Sequence, residues 1–70
     1  MIFSSKISDE EFFKYLRILD TLINKKDLNR ALKVYKYLLR HDLTIIQAVY
    51  LSIEETKLEA LMELYKDALG

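Results

Sequence analysis

Few residues in this 70-residue chain have the chemistry for a reaction, and their spacing limits each of them. His41 is the sole histidine, flanked by Arg40 and Asp42, and the chain has no cysteine. A metal centre or a general base needs partners that these neighbours do not supply. Glu54/Glu55 and Glu59/Glu63 could pair as carboxylates, but beside Lys57 and Lys66 at helical spacing they read as exposed helix charges. No glycine-rich phosphate loop is present, and no nucleophile stands beside a base. The expectation is a protein that is not an enzyme, with no catalytic residue, metal, cofactor or small-molecule substrate.

Two sets of residues could bind instead. Lys26, Arg30, Lys33, Tyr37 and Arg40 step by four, three, four and three, which aligns them on one helix face. A basic stripe holding an aromatic suits phosphate contact with base stacking, so nucleic acid is a possible partner, as is an acidic protein. The same pattern also describes the solvated back of an amphipathic helix. Phe13, Ile18 and Tyr50 lie off the main apolar stripes and are the candidates for contact with a protein partner.

The elements that must position these residues are helices. There is no proline, and the one glycine is Gly70, which disfavours the turns of all-β folds. Ile7-Ser8-Asp9-Glu10-Glu11-Phe12 has the form of a capping box with a hydrophobic staple, Ser8 and Glu11 exchanging bonds and Ile7 closing on Phe12. A first helix to about Asn24 follows, with Phe12, Tyr15/Leu16, Leu19 and Leu22/Ile23 on one stripe. Asp27 suits the N-cap of a second helix that buries Leu28, Ala31/Leu32, Tyr35 and Leu38/Leu39 and ends near Arg40-His41. Asp42 or Thr44 restarts the chain, and Thr44 with Gln47 has capping-box spacing for a third helix, Ile45 to about Glu54.

Leu43–Ile53 is the most apolar stretch, with eight of eleven residues apolar and none charged. Such a segment must be covered by the rest of the chain or by another molecule, which predicts that it lies at the centre. Glu54-Glu55-Thr56-Lys57 breaks the stripe that continues through Leu58, Leu61/Met62, Tyr65 and Leu69. Either Thr56 and Glu59 cap a fourth helix, or one long bent helix runs from 45 to 69. The β-branched content of 44–53 also admits a buried strand paired with the 1–7 arm. A helix-turn-helix is disfavoured, because its recognition helix would be this apolar segment.

Residues 27–39 and 57–69 share a pattern, with Ala31-Leu32 and Ala60-Leu61 repeated 29 positions apart. Over about 15–39 the chain resembles a degenerate tetratricopeptide-type hairpin: Ala31 fills the place of the small residue of the second helix, followed by Tyr35 and Leu38, with Tyr15, Ile18 and Leu22 at first-helix core positions. Leu19 stands where that family prefers a small residue, no proline follows the second helix, and the period falls short of the usual ~34. The resemblance implies helical hairpins and protein binding.

The fold expected is all-α: one domain over 1–70, with 1–6 a loose arm, and three or four short helices as two antiparallel hairpins. Residues 1–42 hold nine Lys/Arg against six Asp/Glu, net +3, and 43–70 hold two against five, net −3. That asymmetry suits self-association. A core this small gains from it too, so a homodimer is expected. No apolar run reaches the ~20 residues of a bilayer span, and Met1–Lys6 lacks the form of a secretory leader. The expected role is therefore a cytoplasmic adaptor, chaperone-like factor or assembly factor that engages no membrane.

Overall fold

A computed structural model describes residues 5–69, with the side chains of Ala68 and Leu69 excepted. Three helices fill them: α1 (Asp9–Asn24), α2 (Leu28–Leu39) and α3 (Ile45–Leu69). The all-α class is as expected, and no strand occurs among the described residues. Of the arm, residues 1–4 lie outside the description, so a strand formed by them is outside it too. Ser5 and Lys6 are tied down: the Asp42 N–H donates to the Ser5 carbonyl at 3.0 Å, and Lys6 Nζ lies 3.5 Å from Asp42 Oδ2.

Each helix start follows from its sequence. Ser8 caps α1 by accepting from the Glu11 N–H at 3.2 Å, and Ile7 and Phe12 are both buried. The reciprocal half of that box is not made, because Glu11 Oε1 accepts from the Tyr37 hydroxyl instead. Asp27 caps α2 by accepting from the Arg30 N–H at 3.3 Å. Between them, Lys26 takes the left-handed conformation, φ 60°, and ends α1. Its N–H donates to the Ile23 carbonyl and that of Asp27 to the Leu22 carbonyl, the paired bonds of a Schellman turn. A side chain with a Cβ is disfavoured there by about 1–2 kcal/mol. The Tyr65 hydroxyl, donating to the Lys26 carbonyl at 2.6 Å, helps to hold the turn.

Of the two readings of the C-terminal segment, the structure takes the single helix. Residues 54–57 continue α3 without a break. Glu and Lys are good helix formers, and nothing in the segment forces a stop. Thr56, the candidate cap, bonds backwards: its hydroxyl donates to the Ser52 carbonyl, as that of Ser52 does to Ala48. At ~1.5 Å per residue the 25 residues of α3 span about 37 Å. That matches the 38 Å long axis of the molecule. The expected third and fourth helices are therefore one helix, and the bundle is made of three, with α2 packed against both α1 and α3 and running antiparallel to each.

The expectation that residues 43–53 form the centre is overturned. Of their apolar side chains only Leu51 is buried, and Leu43 is half-buried. α1 takes the central place, with Phe12, Leu16, Leu19 and Ile23 packed against Ala31 and Leu38 of α2 and Leu51, Leu58 and Leu61 of α3. The inward seam of α3 is Gln47, Leu51, Glu54, Leu58 and Leu61, at alternating spacings of four and three.

Gln47 sets that rotation. It is 1% exposed and makes four hydrogen bonds. Two form the predicted capping box: Thr44 N–H to Gln47 Oε1 at 3.0 Å, and Gln47 N–H to Thr44 Oγ1 at 3.2 Å. The amide Nε2 then donates to the Ile7 carbonyl at 3.1 Å and to Asp9 Oδ1 at 2.9 Å. The start of α3 is thereby pinned to the start of α1. The register persists along both helices: Asp9 meets Gln47, Phe13 meets Tyr50, Asp20 meets Lys57, and Lys26 meets Tyr65, so α1 and α3 run parallel.

Gln47→Leu keeps volume and adds apolarity, yet it leaves the Thr44 N–H and the Ile7 carbonyl without their partner. Urea unfolding followed by circular dichroism should show a loss of about 2 kcal/mol. A variant as stable as the parent would contradict this role.

Candidate interaction surface

Turning the Gln47 seam inward turns the more apolar side of α3 outward. Ile45 is 85% exposed, Ile46 65%, Val49 55% and Ile53 51%. These four lie roughly 130° around the helix from the buried seam. Ala48 and Ser52, beside them, are exposed as well, and no charged residue falls between Leu43 and Ile53. Farther along, Leu64 is exposed on the same side. Fully burying one Ile or Val contributes about 1.5–3 kcal/mol, so four side chains left this exposed represent a large unused driving force. Contiguous apolar surface of this kind marks interaction sites.

Of the three expected partner contacts, Phe13 and Tyr50 come together and Ile18 stands apart. The Phe13 and Tyr50 rings meet edge to face, 5.2 Å between centroids, and Phe13 meets Phe12 in the same way. With Leu16, Arg17, Asp20 and Glu54 they line an open groove of about 250 Å³ between α1 and α3. Tyr50 thus borders the exposed face of α3. Ile18, exposed, is rotated roughly 140° around α1 from Phe13 and lies toward α2. The exposed isoleucines and Val49 were not singled out as contact residues from sequence, since a run apolar on all sides gives no sign of which side is covered.

Of the expected basic stripe, Arg30, Lys33 and Tyr37 lie on α2, Arg40 caps its end, Lys26 lies in the turn before it, and the aromatic is not free. Lys26, Arg30, Lys33 and Arg40 are exposed, and Arg30 Nε lies 3.6 Å from Asp27. The Tyr37 ring packs between Tyr15 and His41, at 4.9 Å from each centroid. Its hydroxyl donates to Glu11 Oε1 at 3.0 Å, and that carboxylate raises the phenol above its ordinary range. Stacking a base on Tyr37 would require breaking these contacts. His41 sits at the end of α2, its Nδ1 3.0 Å from the Tyr37 carbonyl.

The carboxylates expected on the surface divide. Glu55 is half-buried and accepts from the Tyr35 hydroxyl, whose pKa burial and that carboxylate push up to about 12. Glu54 is buried on the inward seam, with no hydrogen-bond partner for Oε1. Its Oε2 lies 3.6 Å from Lys57 Nζ, which donates to Asp20 Oδ1 at 3.0 Å. Burial first, and the Asp20 carboxylate second, raise the Glu54 pKa. Lys57 holds Asp20 in the opposite direction, below the usual carboxylate range. Sequence spacing does place Glu54 and Glu55 on the apolar stripe, but their partners on α1 and α2 are invisible without the fold.

The folded state binds the Glu54 proton more tightly than the unfolded chain does. That contribution to stability is complete below the ordinary value of 4.5 and is lost as pH rises through the raised value. Asp20 acts the other way, its contribution lost only as pH falls below its ordinary range. Thermal melts of the parent should show Tm falling as pH rises above about 4.5, and those of Glu54→Gln should lack that fall. At pH 7 the variant should be about 1 kcal/mol more stable, a rise of roughly 4–8 °C. Identical pH profiles for the two proteins would contradict the assignment.

No helix among the described residues is long and apolar enough to cross a membrane. Comparison with protein-family models, curated proteins and solved structures finds no match to this chain, so its functional reading rests on its own residues.

Proposed function

We propose that this chain is a non-enzymatic protein–protein interaction module, an adaptor or assembly factor acting in the cytoplasm, that binds through the exposed face of α3. The observation that carries the reading is the inversion in α3: Gln47 and Glu54 face the core while Ile45, Ile46, Val49 and Ile53 face solvent. A polar pair inside and an apolar row outside is an expensive arrangement for an isolated monomer. It is economical once the outer row is covered. Tyr50, at the border of the row and braced by Phe13, supplies the aromatic anchor that such interfaces favour. The alternative, a nucleic-acid-binding regulator built on the α2 stripe, draws less support because Tyr37 is occupied within the chain.

A photo-crosslinking amino acid at position 49, compared with one at the solvated position 36, tests the reading in cells. Covalent protein adducts should form from position 49, should disappear when Ile46→Asp and Ile53→Asp are added, and should be absent from position 36. Adducts of equal yield from both positions, or none from 49, would contradict it.

A further inference from the structure

We propose that the occupant of this face is the same face of a second copy, with the two α3 helices antiparallel about a two-fold axis at Val49 and Tyr50. The inference rests on the reading of the face as a protein-binding surface and names its partner. An isologous contact requires a patch complementary to itself. The patch here meets that requirement in the order of its apolar residues and in charge. Ile46, Val49, Tyr50 and Ile53 are distributed about a midpoint between Val49 and Tyr50, so an antiparallel copy sets Ile46 against Ile53 and Val49 against Tyr50, with Ile45 outside this symmetry at the edge of the patch. Nothing charged intrudes, because residues 43–53 carry no charge.

The flanking charges choose the direction. Asp42, exposed, stands before the N-terminal end of the patch. Lys57, exposed although it bridges Asp20 and Glu54, stands on the same side of α3 beyond its C-terminal end. Glu54 is buried and Glu55 is bound to Tyr35 on another side of the helix, so neither reaches the face. In an antiparallel pair, each Asp42–Lys6 surface pair approaches the Lys57–Asp20 pair of the other copy, so unlike charges can interleave across the two chains. In a parallel pair, Asp42, Lys57, Glu63 and Asp67 would each meet its own equivalent, like charge against like. The self-complementary arrangement is therefore the antiparallel one. Tyr50 of each copy then sits near the axis, its ring already held by Phe13.

The absence of cysteine makes the arrangement directly testable. A disulfide forms only when the two Cα atoms approach within about 7 Å. In the antiparallel pair, Val49→Cys lies beside the axis and meets its own equivalent. Ile46→Cys and Ile53→Cys each lie about 10 Å along the helices from theirs, although each meets the other. Under mild oxidation, Val49→Cys should convert to covalent dimer roughly 10-fold faster than Ile46→Cys or Ile53→Cys alone, while a mixture of those two cross-links efficiently. Sedimentation of the parent chain should give twice the 8.3 kDa monomer mass at high concentration.

Equal cross-linking of each single variant with itself would mean a parallel pair and overturn the proposal. A chain that stays monomeric at millimolar concentration, with Val49→Cys no faster than a Lys36→Cys control, would overturn it as well. In that case, adducts from position 49 to a different protein would leave the interaction reading standing, and no adducts would remove both.

Discussion

Gln47 is the residue on which the rest of the structure depends. A capping-box glutamine normally faces solvent at a helix end. Here the carboxamide turns inward and spends its two N–H donors on the entry to α1, one on the Ile7 carbonyl and one on Asp9. With its oxygen on the Thr44 N–H, it joins two helix starts through a bond between residues 38 apart in sequence. A parallel pairing of α1 and α3 follows, and so does the rotation of α3. Buried polar networks are high-stakes in this sense: fully satisfied, they specify one arrangement among several that hydrophobicity alone would permit.

Everything unusual about α3 descends from that choice. The helix has two apolar rows, one through Leu51, Leu58 and Leu61 and another through Ile46, Val49 and Ile53. Only the first can face the core once Gln47 is fixed. That row carries Glu54 with it, where burial and the Asp20 carboxylate raise its pKa and Lys57 Nζ lies 3.6 Å from its Oε2. The second row is left to solvent. Both the polar core position and the apolar surface are therefore consequences of one hydrogen-bonded corner, and the surface is the feature available for function.

Much of this fold was legible in the sequence. The helix starts were, because capping is local chemistry: Ser8 and Asp27 cap the helices expected of them, and of the two candidates Asp42 and Thr44 it is Thr44 that caps α3. The stripe of α1 was, because Phe12, Leu16, Leu19 and Ile23 have no rival face. The side of α3 that is covered was not, because periodicity cannot rank two rows when the deciding bonds run to Ile7 and Asp9. The break expected at 54–57 failed for a related reason. Two glutamates on an apolar stripe look like a phase slip until Tyr35, Asp20 and Lys57 are seen to receive them. The pairing of Phe13 with Tyr50 and the engagement of Tyr37 by Tyr15 and Glu11 belong to the same class of long-range contact. At the candidate site, Tyr50 was visible as a residue off the stripes, whereas Val49 and its neighbours were hidden in a run that looked uniformly buried.

The central claim is that Gln47 faces in and the isoleucine row faces out. Methyl NMR with a soluble paramagnetic agent, on a sample dilute enough to be monomeric, measures this most directly. The account predicts strong relaxation of the Ile45, Ile46, Val49 and Ile53 methyls and protection of those of Ile7 and Ile23. Methyls of Ile46, Val49 and Ile53 as protected as those of Ile7 and Ile23 would contradict it.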